Sequence, residues 1–245
     1  MSSKFKVFTG IVLRHIKYDE AEKLFIIITP TGKRKVFAKG VRKITSKNAG
    51  HLELFTHAHI QTVEGNSGRY IITDAVALDK FDALASHIEK YTLAMFACEM
   101  VDKYAQENDD TGYFGLLFIL KYLRDSVYSQ NDILLVLVRL SIAIGIYPSI
   151  ENCASCQEVN TPDDLYYSYN DGGVICKNCK HNTCISLSLN NIKILRNAYR
   201  HQNNSMTYNI EKENIKYVSS LIYNQIMYNT HEKIVTWKMI NDIVI

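Results

Sequence analysis

Apolar and polar residues alternate with a period near two in the first third of the chain. Five runs rich in β-branched and aromatic residues cover residues 5–16, 23–29, 35–39, 52–64 and 69–78. The breaks at Thr29-Pro30-Thr31-Gly32 and Gly65-Asn66-Ser67-Gly68 supply the fixed or positive φ angles that tight turns need. We therefore predict five antiparallel strands, with hairpins joining the second to the third and the fourth to the fifth. Five strands in roughly 75 residues fit a small closed barrel of the OB type better than a two-sheet sandwich.

After residue 81 the apolar residues recur at steps of three and four, the period of a helix with one buried face. The first such stretch runs from Leu84 to Ala105, and further helices are predicted over residues 113–128, 132–144, 192–200 and 211–228. Asp132 is expected as the N-cap of the third helix, and Gly145 as its C-terminal stop. The second and third helices are apolar almost all round, so we expect them inside a bundle.

Two C-x-x-C pairs lie in the polar stretch between the third and fourth predicted helices. Cys153-Ala-Ser-Cys156 and Cys176-Lys-Asn-Cys179 are separated by 19 residues, a spacing expected of a structural zinc site. Two facing knuckles complete a tetrahedron of thiolates around one Zn²⁺, and no position is left for water or substrate. Residues 166–175 read as a hairpin with Asp171-Gly172-Gly173 at its turn. The alternative is that these are buried or redox-active cysteines that merely pair in sequence.

These patterns together predict an α+β fold. It consists of an N-terminal five-stranded OB-type β-barrel, followed by an α-helical domain that carries an inserted four-cysteine zinc ribbon. The predicted domains are the barrel at residues 1–81, the helical domain at 82–149 and 186–245, and the ribbon at 150–185.

Other candidate metal ligands are weaker. Cys184 and His181 lie close enough in sequence to replace a ligand, but the two symmetrical pairs are the simpler set. Cys98 lies on the apolar face of a helix, where a core thiol is expected. His57-Ala-His59 places two imidazoles on one face of a strand, and this pair could hold a metal ion. Since no carboxylate or third ligand falls in register, two partly exposed histidines are the favoured interpretation.

Composition limits the class of protein. With 47% hydrophobic and 22% charged residues among 245, the chain can bury one substantial core or two modest ones. No apolar stretch of signal-peptide length follows the first residues, and the most apolar run, 133–146, contains Arg139. We therefore expect a cytoplasmic protein that does not span a membrane, with cysteines used as thiols or metal ligands. Arg139 is expected to pair within the core, and a groove for an acidic partner is the alternative.

Positive charge is concentrated near the N-terminus. Residues 1–81 hold 14 Lys and Arg against 7 Asp and Glu, whereas 82–245 hold 14 against 18. Seven cations and no acidic residue occur between positions 33 and 47: Lys33, Arg34, Lys35, Lys39, Arg42, Lys43 and Lys47. An ordinary exposed face is one interpretation. On an OB barrel, however, the strand 2–3 face and its loops bind single strands, so we expect these cations to form a single phosphate-facing surface.

Aromatic residues near this basic run are candidates for base stacking. Phe37 lies inside the run, whereas Tyr18, Phe55 and Tyr70 are nearby and are expected in the core. No glycine-rich phosphate loop, nucleophile elbow or other catalytic signature occurs, so the chain is predicted not to be an enzyme. A DNA-binding protein is the favoured hypothesis. The alternatives are a zinc-ribbon RNA-binding or transcription-associated scaffold protein, and a metal-dependent hydrolase that uses His57 and His59.

Several motifs follow one another in a fixed order along nearly the whole chain. They are Gly10-Ile-Val-Leu-Arg14, Tyr18-Asp-Glu-Ala-Glu-Lys-Leu24, Thr29-Pro-Thr-Gly-Lys33, Ala38-Lys-Gly-Val-Arg42, Gly50-His-Leu-Glu-Leu-Phe55, and then Gly145-Ile-Tyr-Pro148 and Gly172-Gly-Val-Ile-Cys176 around the cysteine pairs. In this order they resemble the RecO family, the bacterial recombination-mediator proteins of DNA repair. One departure is Leu54, where the family usually has proline.

The resemblance implies a nucleoid-associated protein that binds single- and double-stranded DNA and anneals complementary strands. It also implies binding to the C-terminal tail of single-stranded DNA-binding protein, and action with RecR to load RecA. DNA contact is carried over to the basic positions that match the family: Arg14, Lys33, Lys39 and Arg42. Four more are added on charge alone: Arg34, Lys35, Lys43 and Lys47. Some members of the family lack the cysteines, so the metal is not essential to the family's activity.

Overall fold

The chain folds into two compact units, residues 1–127 and 128–245. The structure is a computed structural model that describes residues 5–18, 22–39, 49–65, 68–159, 165–202 and 209–244. The helices after the barrel are divided between the units, because the first two of them lie in the first unit and the remainder in the second. The sequence-based domain limits after residues 81, 149 and 185 stay a prediction.

The first unit contains a closed five-stranded barrel, which confirms the predicted fold class. Its strands are β1 (Phe5–Lys17), β2 (Glu22–Thr29), β3 (Gly32–Lys39), β4 (His57–Glu64) and β5 (Tyr70–Asp79). They follow the order β1-β2-β3-β5-β4, in which β1 pairs with both β2 and β4 and thereby closes the barrel. Both predicted hairpins, β2–β3 and β4–β5, are antiparallel pairs. The expectation that all pairs are antiparallel is wrong for β3 and β5, which pair in parallel.

The barrel interior is filled by apolar side chains from all five strands. Its buried members are Val12, Phe25, Ile27, Val36, Ala38, Leu52, Ala58, Ile60, Ile72 and Ala75. The sequence predicted that the fourth strand begins at Leu52, but it begins at His57. The reason is that Ala49–His51 form a 3₁₀ turn and Phe55 has a φ of 68°. Leu52 is nevertheless buried, so the apolar pattern identified a core residue but not its backbone conformation.

Two helices of the first unit pack on the outside of the barrel. They are α1 (Ile88–Tyr104) and α2 (Thr111–Asp125), and both contact β1 and β2. Ile26 and Ile28 point away from the barrel interior, yet they are only 3% and 0% exposed. The predicted helix over 84–105 is divided, because a 3₁₀ turn (Asp82–Ser86) precedes α1.

The second unit combines three helices with a small sheet. The helices are α3 (Asp132–Ala143), α4 (Leu189–Arg200) and α5 (Lys212–Thr230), and the sheet contains β6 (Tyr166–Ser168), β7 (Gly173–Ile175) and β8 (Ile185–Ser186) in the order β7-β6-β8. A short helical turn (Trp237–Met239) and a π-helix (Ile240–Val244) follow α5. The antiparallel β6–β7 pair confirms the hairpin predicted over residues 166–175.

The ends of α3 differ in part from the sequence prediction. Asn131 is the N-cap, and Asp132 is the first helical residue, whose Oδ2 accepts a hydrogen bond from the Ser129 backbone N–H at 3.1 Å. Gly145 follows the helix with a φ of +75°, as expected of a C-terminal stop. Eight consecutive residues, 131–138, are buried, so α3 is enclosed on nearly every side, as predicted for a bundle interior. The same prediction is wrong for α2, which packs on the barrel and leaves Phe114 53% exposed. Among the described helices, none has the length and apolar character required to cross a membrane.

Candidate metal centre and nucleic-acid interface

The four cysteines of the two C-x-x-C pairs come together in the second unit. The Sγ atoms of Cys153, Cys156, Cys176 and Cys179 all lie within 4.8 Å of one another. The Sγ atoms of Cys156 and Cys176 are 3.9 Å apart. A tetrahedral site with Zn–S distances of about 2.3 Å has S–S edges of about 3.8 Å. The cysteine geometry therefore fits a four-coordinate metal ion.

Backbone geometry prepares each pair for metal binding. In the first knuckle the Gln157 N–H donates to the Cys153 carbonyl at 2.9 Å, and in the second the Cys179 N–H donates to the Cys176 carbonyl at 3.1 Å. Burial disfavours the Cys153 thiolate. Nevertheless, hydrogen bonds from the backbone N–H groups of Cys156, Cys176 and Ser155 outweigh burial and lower the pKa of Cys153 to about 6. One sulfur is therefore already favoured as the thiolate that binds metal.

Proximity of the sulfurs opposes ionisation of Cys179. Hydrogen bonds with the side chains of Cys156 and Cys176 raise the pKa of Cys179 to about 12. Neighbouring thiolates repel one another unless a cation lies between them, and a bound cation removes this barrier. The donor set is thus suited to a divalent ion that accepts sulfur ligands, and four protein ligands leave no open position for a reaction.

The ribbon that carries the cysteines is anchored on α5. Tyr167 of β6 is 1% exposed, and its hydroxyl donates to Gln225 Oε1 at 2.9 Å. Gln225 Nε2 in turn donates to the Tyr169 carbonyl at 3.1 Å. Gly173 lies so close to the chain before the first knuckle that a Cβ there would be 2.7 Å from the Ser149 backbone nitrogen. The four-cysteine cluster therefore belongs to the packed body of the second unit.

The remaining candidate ligands have other surroundings. His181 Nε2 lies 2.7 Å from Asp171 Oδ2, and its Nδ1 lies 2.9 Å from Thr183 Oγ1. The Cys184 Sγ accepts a hydrogen bond from the His181 backbone N–H at 3.4 Å. Cys98 is buried in α1, and burial raises the pKa of its thiol. None of these residues belongs to the described four-sulfur cluster.

The two strand histidines face separate partners. His57 Nε2 lies 2.8 Å from the Tyr113 hydroxyl, and His59 Nδ1 lies 3.4 Å from Thr9 Oγ1. Burial, followed by the nearby charge of Lys121, lowers the pKa of His57. Within the described residues, His57 and His59 form no group of three or more metal-binding side chains. Their contacts are those of ordinary half-buried histidines, the interpretation favoured from the sequence.

Three of the predicted DNA-binding residues share the outer face of the β1–β2–β3 sheet. Arg14 and Lys35 are both paired with Ile26 in the strand register. Lys33 is paired with Ile28, two residues along β2. Side chains that are opposite one another in a sheet point to the same side, so these three cations lie on one surface beside α1. All three are exposed.

Asp102 of α1 neutralises two of these cations. Its Oδ2 accepts a hydrogen bond from Arg14 Nε at 2.5 Å, and its Oδ1 lies 3.9 Å from Lys33 Nζ. Lys33 also donates to the backbone carbonyl of Asp102. The Asp102 side chain is 16% exposed, compared with 50% for Arg14 and 32% for Lys33. No ion pair joins Lys35 to any carboxylate that the structure describes.

The expectation of one surface for the whole basic run does not hold at Arg34. Side chains alternate along a strand, and Arg34 is paired with the core residue Ile27, on the face opposite to Lys33 and Lys35. Its Nη2 donates to Thr31 Oγ1 at 3.1 Å. The rest of the run lies outside the described residues: the side chain of Lys39, and all of Arg42, Lys43 and Lys47. DNA contact by each of the eight residues stays a prediction.

An aromatic–arginine cluster, which comprises Tyr18, Phe37 and Arg69, continues this outer face. The rings of Tyr18 and Phe37 meet edge to face, with centroids 5.0 Å apart, and the guanidinium carbon of Arg69 is 5.1 Å from each centroid. Tyr18 is 48% exposed, which corrects its expected core position, whereas Phe55 is 3% exposed. Sequence reasoning missed Arg69, because it comes near Phe37 only through the β3–β5 pairing of Phe37 with Ile71.

Arg139 lies on α3 within the second unit. It is partly buried, and burial lowers the pKa of its guanidinium. Its Nη1 lies 3.5 Å from Gln202 Oε1. The contact is consistent with the structural role favoured from the sequence and assigns no ligand to this residue.

Comparison with known families matches both parts of the chain. A family model described as "Recombination protein O N terminal" matches residues 1–81, and one described as "Recombination protein O C terminal" matches residues 85–226. The first match covers the barrel strands, and the second covers the cysteine cluster together with α1 to α4.

Individual relatives agree with the family models. A protein named DNA repair protein RecO from Roseiflexus sp. (strain RS-1) is 32% identical over 191 residues, which span 76% of this chain and 67% of the relative. Proteins of the same name from Dehalococcoides mccartyi (strain BAV1) and Listeria monocytogenes serotype 4b (strain CLIP80459) are 31% and 29% identical over 192 residues, which span 76% of this chain and 75% and 74% of those relatives. With both family models matched in order, the chain belongs to the RecO family of DNA repair proteins.

Proposed function

We propose that this chain is a DNA repair and recombination mediator. It binds single- and double-stranded DNA, anneals complementary strands, and with RecR helps to load RecA onto DNA coated by single-stranded DNA-binding protein. The observation that carries the proposal is a RecO-family barrel whose outer face presents Arg14, Lys33 and Lys35 on one side. The protein acts without catalysis, by binding, in the cytoplasm and in association with the nucleoid.

Phosphate contacts supply the affinity in this proposal. Each cation that meets a phosphate releases counterions, so binding weakens as salt rises and depends little on base sequence. Neutralised phosphates also allow two complementary strands to approach each other, which is the electrostatic requirement for annealing. The cations Lys39, Arg42, Lys43 and Lys47 extend the same site in the proposal.

RecR and the C-terminal tail of single-stranded DNA-binding protein are the proposed protein partners. Membership of the RecO family supports both, and no residue of this chain is assigned to either. The proposed metal is one structural Zn²⁺ bound by Cys153, Cys156, Cys176 and Cys179, whose sulfur geometry fits it. The ion would hold the two knuckles together and stabilise the second unit.

Strand annealing tests the proposed function. Complementary oligonucleotides coated with single-stranded DNA-binding protein are mixed with the intact chain, or with a variant that carries Arg14→Gln, Lys33→Gln and Lys35→Gln. A matched control carries Lys193→Gln, Lys212→Gln and Lys216→Gln, which removes three exposed cations from helices of the second unit. We expect slower annealing with the first variant only. Equal rates for the intact chain and the first variant would mean that the site is misplaced.

A second experiment separates this function from that of an RNA-binding scaffold. Unlabelled DNA and RNA strands of the same sequence compete for the chain against a labelled DNA strand. We expect DNA to compete at least as well as RNA, and annealing to proceed with DNA strands. Strong preference for RNA together with absence of DNA annealing would favour the scaffold.

A further inference from the structure

The aromatic–arginine cluster lies in line with the cations of β3. Lys33, Lys35 and Phe37 are separated by steps of two residues, so their side chains leave the same face of the strand about 6.7 Å apart. Tyr18 lies at the end of β1, on the β2 side of Phe37, and Arg69 approaches from the start of β5. A polyanion that follows Lys33 and Lys35 therefore reaches the two rings next.

Core packing does not account for Tyr18. Buried aromatic side chains stabilise a fold by the area that they remove from water, yet 48% of Tyr18 stays accessible. Its edge-to-face contact with Phe37 holds the ring in place, and the guanidinium of Arg69 adds a positive charge 5.1 Å from both centroids. An accessible ring, a second ring that fixes it and a cation are the components that stack nucleic-acid bases.

We propose that the aromatic–arginine cluster stacks unpaired bases of single-stranded DNA while Lys33 and Lys35 hold its phosphates. The inference rests on the proposed function, since it deepens the DNA-binding site, and it assigns base contact to Tyr18, Phe37 and Arg69. In a duplex the bases are stacked on one another and are not accessible to a ring. The cluster therefore favours single strands, whereas the β3 cations serve single strands and duplexes alike.

The experiment compares two oligonucleotides that carry the same phosphates. One is a labelled oligothymidylate, and the other is an abasic strand of equal length; binding of each to the full chain is measured by fluorescence anisotropy at one salt concentration. Stacking of one base on one ring changes affinity by about 5- to 150-fold. We expect the intact chain to prefer the base-bearing strand by a factor in this range.

Variants identify the ring that is responsible for the preference for the base-bearing strand. Tyr18→Leu should lose most of the preference by weakening oligothymidylate binding, with unchanged affinity for the abasic strand, and Tyr18→Phe should retain the preference because it keeps the ring. Tyr147→Leu is the matched control, since Tyr147 is 57% exposed and also meets another ring edge to face, that of Tyr199 at 4.7 Å. Unaltered abasic binding by Tyr18→Leu shows that the variant is folded.

The outcomes separate this inference from the proposed function. If the intact chain binds both strands equally well, or if Tyr18→Leu keeps the full preference, the stacking site is overturned while DNA binding stands. If the intact chain binds neither strand, DNA binding itself fails and the stacking site fails with it. A preference that is lost only with the Tyr18 ring supports the proposal.

Discussion

Replacing Asp102 by asparagine should strengthen DNA binding while it slightly weakens the fold. In the structure the Asp102 carboxylate is the partner of both Arg14 and Lys33, and these contacts occupy two of the cations proposed to meet phosphate. A phosphate must compete with this carboxylate for both cations, and it is also repelled by its charge. The asparagine side chain would keep the volume of the aspartate and remove the competition.

The magnitude follows from the exposure of the three side chains. Arg14 is 50% exposed and Lys33 is 32% exposed, so solvent screens both contacts, and exposed ion pairs are typically worth about 0.2–1 kcal/mol each. Two such pairs amount to about 1 kcal/mol, which corresponds to roughly fivefold tighter binding. Because phosphate would no longer compete with the carboxylate for these two cations, log K should also depend more steeply on log salt, by less than about 0.7 for each cation with a single strand.

The assay is a titration of a labelled single strand at several salt concentrations. Asp102→Asn should bind about fivefold more tightly at low salt, with an advantage that shrinks as salt rises. Its free energy of unfolding, measured with urea, should fall by about 1 kcal/mol or less. Asp74→Asn is the control, because it removes the same charge from an exposed position on β5 that pairs with Gln61 of β4. Unchanged or weaker binding by Asp102→Asn, or an equal gain with Asp74→Asn, would refute the reasoning.

Three further predictions concern the metal centre, its anchor and one histidine. Elemental analysis should find one zinc per chain, lost in Cys153→Ser and kept in the control Cys184→Ser; zinc retained by the first variant contradicts the site. Tyr167→Phe leaves the buried Gln225 Oε1 without its donor, so the urea-derived free energy of unfolding should fall by about 1–3 kcal/mol, whereas the exposed Tyr217→Phe should change little. Burial lowers the pKa of His57, so the unfolded chain binds the proton more readily than the folded chain. The free energy of unfolding should therefore fall as pH drops through about 6.5, and it should fall less steeply in His57→Gln. Parallel pH profiles of the two chains would contradict the assignment.

The sequence specified the barrel and the cysteine cluster because both depend on local pattern. Period-two apolar runs and turn residues identified all five strands, and paired thiols within three residues of each other are placed together by a single knuckle. The apolar pattern predicts a fourth strand that begins at Leu52, but β4 begins at His57, because Leu52 is buried without being in a strand. The apolar period indicates which residues are buried, but it does not determine the backbone conformation. Before His57 that conformation depends on the positive φ of Phe55.

The candidate DNA-binding surface was harder to predict because it depends on contacts between distant residues. Arg34 is adjacent to Lys33 and Lys35 in sequence, which favours a common surface for all three. Side chains alternate along β3, however, so Arg34 lies on the opposite face. Asp102 pairs with cations far from it in sequence, through the packing of α1 on β1 and β2. Arg69 joins Tyr18 and Phe37 in the same way, through the pairing of β3 with β5. No local pattern reports such contacts.

The central claim is that the outer face of β3 binds phosphate. The direct test is the salt dependence of single-strand affinity for the intact chain and for Lys33→Gln/Lys35→Gln, with Lys193→Gln/Lys212→Gln as the control for net charge. Two lost phosphate contacts should reduce the slope of log K against log salt by about 1.4, and the control should keep the slope of the intact chain. An unchanged slope for Lys33→Gln/Lys35→Gln would show that DNA binds elsewhere.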